Sequence, residues 1–172
     1  SDLLASACYG VPELRSEAIA TAPIVGNPGC FAVGITLGLA PLFAENLVEG
    51  NTATVDSLTG SSGAGKKPSS AQHFSHLNDN VVPYRVFSHQ HSVEAELTLG
   101  GLAGSPATLH FVPHLLGATR GILSTMHLVL RHKVPREDLL DRYREFYKEA
   151  PFVRVLETPP TLKEPVGSNY CD

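Results

Sequence analysis

Cys30 closes the tetrapeptide Asn27-Pro28-Gly29-Cys30, and the apolar run Phe31 to Phe43 follows at once. That run predicts a helix from Cys30 to about Leu47, with the sulfur in its first turn. Unpaired backbone N–H groups and the positive end of the helix dipole favour a thiolate over a thiol at such a place. Pro28 and Gly29 predict a tight turn that exposes the position, and an N–H at or after Cys30 can serve as an oxyanion donor. The competing reading of Cys30 is a small buried hydrophobe at a helix start.

A second group is His89-Gln90-His91-Ser92-Val93-Glu94, at the boundary between a predicted strand and a predicted helix. Glu94 stands three positions after His91, within reach across one helical turn. A carboxylate so placed fixes the tautomer of an imidazole used as general acid or base, the logic of a Cys-His pair. The plainer alternative is a solvated polar corner. Eight histidines invite a metal reading built on His73, His76, His89, His91 and Glu94, but their spacing follows no familiar ligand pattern, and no metal is expected.

The stretch Gly60 to Lys67 resembles a phosphate-binding loop until Lys67 and Pro68 take the place of the required hydroxyl and helix. What remains is a row of N–H groups and hydroxyls able to hold a small polar ligand, or a surface linker. Arg120, ahead of the last long strand, offers a guanidinium suited to an anionic substrate group, or a solvated charge.

These side chains need a scaffold, and 172 residues with 42% hydrophobic content predict a single domain with its own core. Charged residues are 17% and the net charge is -4, which excludes a basic field for nucleic acid or an anionic membrane surface. The longest apolar run is well short of the roughly 20 residues a bilayer needs, and Pro41 interrupts it, so no membrane span is expected. The chain opens on Ser-Asp-Leu-Leu, without Met or a signal-peptide pattern, and reads as a piece of a longer protein. Cys8, Cys30 and Cys171 form no CxxC pair and suit a reducing cytoplasm.

Periodicity predicts helices over 13–20, 92–102 and 136–150, the last opened by Pro135. Strands are predicted over 23–26, 52–58, 84–88, 107–114, 121–133 and 152–157, with a proline-rich extended tail over 158–172. In the 121–133 strand Ile122, Ser124, Met126, Leu128 and Leu130 alternate with Leu123, Thr125, His127, Val129 and Arg131, so one face is drier and calls for a helical cover. The order lacks regular βαβ alternation and a GxGxxG after a strand. It predicts an α+β fold, a mixed and mainly antiparallel sheet with helices on one face.

Taken in order, several motifs resemble the N-acetyl-gamma-glutamyl-phosphate reductase family, in the superfamily of aspartate-semialdehyde and glyceraldehyde-phosphate dehydrogenases. They are Tyr9-Gly10-Val11-Pro12-Glu13-Leu14, Gly26 to Cys30, Gly60 to Gly65, Asn80 with Pro83-Tyr84-Arg85, His89-Gln90-His91 with Glu94, Phe111 to Leu115, Thr119 to Leu123 and Gly167 to Asp172. The resemblance covers nearly the whole chain. It implies a glyceraldehyde-3-phosphate dehydrogenase-like C-terminal domain, with 1–172 as one catalytic and dimerisation domain.

The NADP-binding Rossmann domain and a closing glycine-rich helix would lie outside it, leaving the chain alone inactive. By the same resemblance Cys30 attacks a small-molecule acyl phosphate, His91 moves the proton, and Glu94 and Asn27 support them. His89 and Arg120 position anionic groups, and Ser62, Gly63, Ala64 and Gly65 lie near the nicotinamide of NADP. A cytoplasmic homo-oligomer assembled through the sheet is implied as well.

Phe31-Ala32-Val33-Gly34 stands where Tyr-Pro-Thr is frequent in the family, and Gln90 where Arg is frequent. N-acetyl, N-succinyl and carrier-linked aminoadipyl phosphates therefore all stay open as substrates. Two other classes use the same residues: a nucleotide-independent Cys-His hydrolase or acyltransferase, and a structural dimerisation subunit.

Overall fold

The apolar run after Gly29 forms the helix around which the molecule is arranged. In the computed structural model, which describes residues 2–172, helix α3 (Cys30–Ala44) buries Phe31, Ile35, Leu39, Leu42 and Phe43. Such a helix, apolar on nearly every side, belongs in a core. Preceding it are α1 (Asp2–Ala5), β1 (Ala7–Tyr9), α2 (Pro12–Thr21) and β2 (Ile24–Gly26). After it come β3 (Val48–Thr59), α4 (Phe74–Leu77), β4 (Val81–Pro83), α5 (Gln90–Ala103), β5 (Thr108–Leu116), β6 (Ile122–Leu130) and α6 (Arg136–Phe146).

The main sheet has the order β4-β5-β3-β6. β3 runs parallel to β5 and antiparallel to β6, and β4 pairs antiparallel with β5, which makes the sheet mixed and mainly antiparallel. Side chains alternate as a pleated strand requires. Ala53, Val55, Ser57 and Thr59 of β3 are buried with Leu109 and Phe111 of β5, under α3 and α5. Ile122, Met126, Leu128 and Leu130 of β6 join that core, the drier face expected from the sequence. On the opposite face His110, Thr125, His127 and Val129 are exposed.

Pro41 lies inside α3. Proline has no N–H, so the carbonyl four residues back, that of Leu37, loses its helical donor. The Tyr147 hydroxyl donates to the Leu37 carbonyl at 2.6 Å, and the Tyr143 hydroxyl donates to that of Gly38 at 2.5 Å. These two bonds stitch the end of α6 to α3.

Several expected elements differ. The 84–88 segment is a turn, not a strand; pairing with β5 ends at Pro83, and Arg85 and Phe87 adopt left-handed backbones at φ 44° and 52°. No strand forms over 152–157, where the ladder is reduced to one bridge between Val153 and Cys171. The tail is folded back rather than extended: Arg154 makes two 2.6 Å bonds to Asp172, whose side chain is 2% exposed, and lies over the Tyr170 ring. Strand β1 was not foreseen; it pairs in parallel with β2, Ala7 opposite Ile24 and Tyr9 opposite Gly26.

Candidate functional site

Strand β2 delivers the chain to the Asn27-Pro28-Gly29 turn, and Gly29 caps α3 with an extended backbone. Cys30 is the first residue of the helix and is exposed. The N–H groups of the first helical turn have no intrahelical acceptor, so they put partial positive charge at the end of the helix that Cys30 opens. Asn27, the first residue of that turn, is exposed.

Helix α5 brings the histidines to this place. His89 is its N-cap and is only 7% exposed; its Nδ1 accepts the His91 N–H at 3.2 Å. The His89 ring packs among Phe31, Phe111, Tyr84 and His91, with centroids 5.4, 5.6, 5.9 and 4.5 Å away. Burial, and then the positive charges of His91 and Arg85, push its pKa down to about 4. With Nδ1 accepting the cap bond, the neutral ring carries its proton on Nε2, and its place at the N-cap gives it a structural part in opening α5. His91 is only half-buried and packs against Gly29, one residue from the sulfur. Its Nδ1 is buried and has no hydrogen-bond partner among the described residues.

Glu94 does not hydrogen-bond to His91. Its Oε2 accepts the Gly29 N–H at 2.8 Å and the Tyr9 hydroxyl at 2.7 Å. The carboxylate therefore anchors the turn that carries Cys30 and reaches the imidazole only through its field. Burial works to raise the Glu94 carboxyl, but the Gly29 amide, the Tyr9 hydroxyl and the two imidazoles outweigh it and hold it below the usual range. Tyr9 is the partner that residue-by-residue reading missed, because it lies 85 positions from Glu94; only its place in the Tyr9-Gly10-Val11-Pro12 motif marked it. Tyr84 was missed likewise: its ring stands 5.9 Å from that of His89, and burial above all raises its phenol.

The glycine loop differs from the row of free donors expected of it. Ser61–Ala64 is a single 3₁₀ turn, and the N–H groups of Gly60, Ser61 and Ser62 donate to the carbonyls of Gly121, Ala118 and Thr119. Gly63 and Gly65 donate within the loop. The two loops approach so closely that a Cβ on Gly60 would collide with the Thr119 and Arg120 backbone. Arg120 is exposed on the second loop. Cys30, Thr59, Ser62 and Gly63 share the rim of a cleft of about 980 Å³ whose walls include Leu37, Met126, Tyr143 and the returning tail. Ala64, Gly65, Arg120 and His91 do not line it. His73 and His76 lie 6.0 Å apart, ring to ring, outside the Cys30 group, and no three metal-ligating side chains converge among the described residues.

The site thus has a thiol at a helix start, an imidazole packed on the residue before it, and an apolar cleft that the thiol lines. The model of the semialdehyde dehydrogenase dimerisation domain matches residues 30–172. The chain belongs to that family. Curated relatives named N-acetyl-gamma-glutamyl-phosphate reductase align with nearly all of it. The Desulforamulus reducens protein is 45% identical over 99% of this chain and 50% of its own length. The Symbiobacterium thermophilum protein is 44% identical, again over 99% and 50%. The Methanocaldococcus jannaschii protein is 44% identical over 95% and 48%.

This semialdehyde dehydrogenase domain thus spans about half the length of the curated relatives it matches. Aspartate semialdehyde dehydrogenase II from Vibrio cholerae shares its fold at TM-score 0.68 and 14% identity, over 95% of this chain and 55% of that one. The Francisella tularensis enzyme does so at TM-score 0.64 and 14% identity, over 87% and 53%. The α+β fold expected from the sequence is therefore the one it shares with these dehydrogenases.

Proposed function

We propose that this chain is the catalytic and dimerisation unit of an NADP-dependent reductase that converts N-acetyl-gamma-glutamyl phosphate to N-acetyl-glutamate semialdehyde, a step of arginine biosynthesis. The observation that carries the reading is the exposed Cys30 sulfur at the start of α3, with the His91 ring packed on the preceding residue. The names of the 41–45% identical relatives supply the substrate.

Cys30 attacks the acyl carbon, the bond from that carbon to the phosphate oxygen breaks, and the phosphate leaves with the electron pair. His91 takes the thiol proton and returns it to the departing phosphate. The unpaired N–H groups of the first α3 turn stabilise the oxyanion, and collapse of the reduced adduct frees the aldehyde and the thiolate. The cleft beside Cys30 has room for a nicotinamide ring, with Ser62 and Gly63 on its rim. NADPH, when bound there, supplies the hydride to the thioester carbon. The consumed N–H groups of the 60–65 loop leave side-chain hydroxyls and shape as its means of contact.

Residues 1–172 form one such unit in this reading, with NADP held mainly by a Rossmann domain elsewhere. The parallel β1–β2 pair supports this, since parallel strands are normally covered on both faces, and Ile24 and Val25 are each 41% exposed. A second copy of the chain covers the open face of the main sheet, where Val129 is 69% exposed. Three free cysteines suit a reducing cytoplasm, and no helix of the described residues is long and apolar enough to cross a membrane. Cys30→Ala in the full-length enzyme should abolish phosphate-dependent aldehyde oxidation with NADP; substantial remaining activity refutes the mechanism. Steady cleavage of activated esters without NADP would instead identify a hydrolase.

A further inference from the structure

Gly29 has no conformational reason to be glycine. Its backbone is extended, φ −67° and ψ 147°, a region open to every residue. The reason is steric: a Cβ built there would lie under 3.0 Å from Nε2, Cδ2 and Cε1 of His91. The imidazole fills the volume a side chain would take. The rest of the residue is committed too. Its N–H donates to Glu94 Oε2 at 2.8 Å, and its carbonyl accepts the Val33 N–H at 3.0 Å to open α3. His91 and Glu94, three apart on the first turn of α5, lie on one face and grip the same glycine. Glu94 is itself held by the Tyr9 hydroxyl at 2.7 Å.

We propose that Gly29 and Tyr9 are positioning residues for the Cys30 and His91 pair. The glycine admits the imidazole against the turn that carries the sulfur. Tyr9 holds Glu94 on the Gly29 amide, so that the turn stays seated on α5. This deepens the proposed function and rests on its assignment of Cys30 and His91. A methyl group at residue 29 either expels the ring or lifts the start of α3 from α5, and in both cases the sulfur and the imidazole part. Tyr9 acts from β1, whose partner β2 ends at Gly26, three residues before Gly29. Its hydroxyl ties the strand pair that feeds the turn to the helix that bears the imidazole.

The test is iodoacetamide alkylation of Cys30 in the full chain, followed by peptide mass mapping over a range of pH, with melting temperatures measured in parallel. Gly29→Ala should slow alkylation at neutral pH by about tenfold or more, and Tyr9→Phe by about threefold. Both should shift the pH profile toward that of His91→Ala, an effect that loss of packing alone does not produce. In the Gly29→Ala/His91→Ala double variant the ring that the methyl would meet is gone, so the methyl should add no further loss of rate or melting temperature. That variant reads the steric claim even where the single one fails to fold. Wild-type rates and pH profile in Gly29→Ala, or an equal loss of melting temperature with and without His91, would overturn the positioning role while leaving the nucleophile standing. A wild-type Cys30 no faster than an ordinary thiol, and indifferent to His91→Ala, would overturn the nucleophile and the positioning together.

Discussion

Tyr147→Phe removes one oxygen from a buried place where it serves a carbonyl that has lost its helical donor. Leu37 has lost its helical donor because residue 41 is proline, and its carbonyl is served by the Tyr147 hydroxyl at 2.6 Å. Leu37 and Tyr147 are each only 4% exposed, so a replacement donor has little access to the carbonyl. Burial raises the Tyr147 phenol, which therefore remains a donor at any working pH. Deleting the hydroxyl should cost about 1–3 kcal/mol, the penalty of a buried unsatisfied acceptor, against about 1 kcal/mol for an ordinary hydrogen bond. Urea denaturation should show a lower midpoint with an unchanged slope, and the melting temperature should fall by about 2–4 °C per kcal/mol lost. The decisive comparison is Pro41→Ala, which restores an N–H to residue 41. In that background Tyr147→Phe should cost less than about 0.5 kcal/mol. Equal costs in both backgrounds would mean that the ring's packing, and not the proline-orphaned carbonyl, is what the hydroxyl supports.

Two further outcomes follow from buried polar groups. Thr36 is fully buried, and its hydroxyl has no partner among the described residues; Thr36→Val should raise stability by about 1 kcal/mol in urea titrations, and a loss would reveal an unseen partner. His89 is held neutral, with its pKa pushed down from an ordinary 6.5 to about 4, so below pH 6.5 the unfolded chain takes up a proton that the folded one refuses. Stability should fall as pH drops from 6.5 toward 4, and His89→Asn, which keeps a cap acceptor without a titrating ring, should flatten that limb in denaturation curves at pH 7.5 and 5.

Much of the fold was legible because its signals are local. The alternation along β6 and the apolar run of α3 each lie within a dozen or so consecutive residues, and each dictates a face. The 84–88 segment misled because its composition suits a strand, yet two left-handed residues turn it away from the β5 edge after Pro83. The 152–157 segment misled for a related reason: it has strand composition, but only the tail runs beside it.

By itself the sequence determined that a cysteine opens a buried helix, that a histidine pair and a carboxylate open another, and which family pattern they follow. Only the tertiary structure decided how they meet: Glu94 turns to Gly29 and Tyr9 rather than to His91, the His91 ring occupies the missing Gly29 side chain, and the 60–62 amides are spent on a neighbouring loop. The physical reason is range. Helix starts and strand faces are set by residues within a few positions of one another, whereas the partners of Glu94 lie 65 and 85 positions away and are selected by the seating of α5 against α3 and β1.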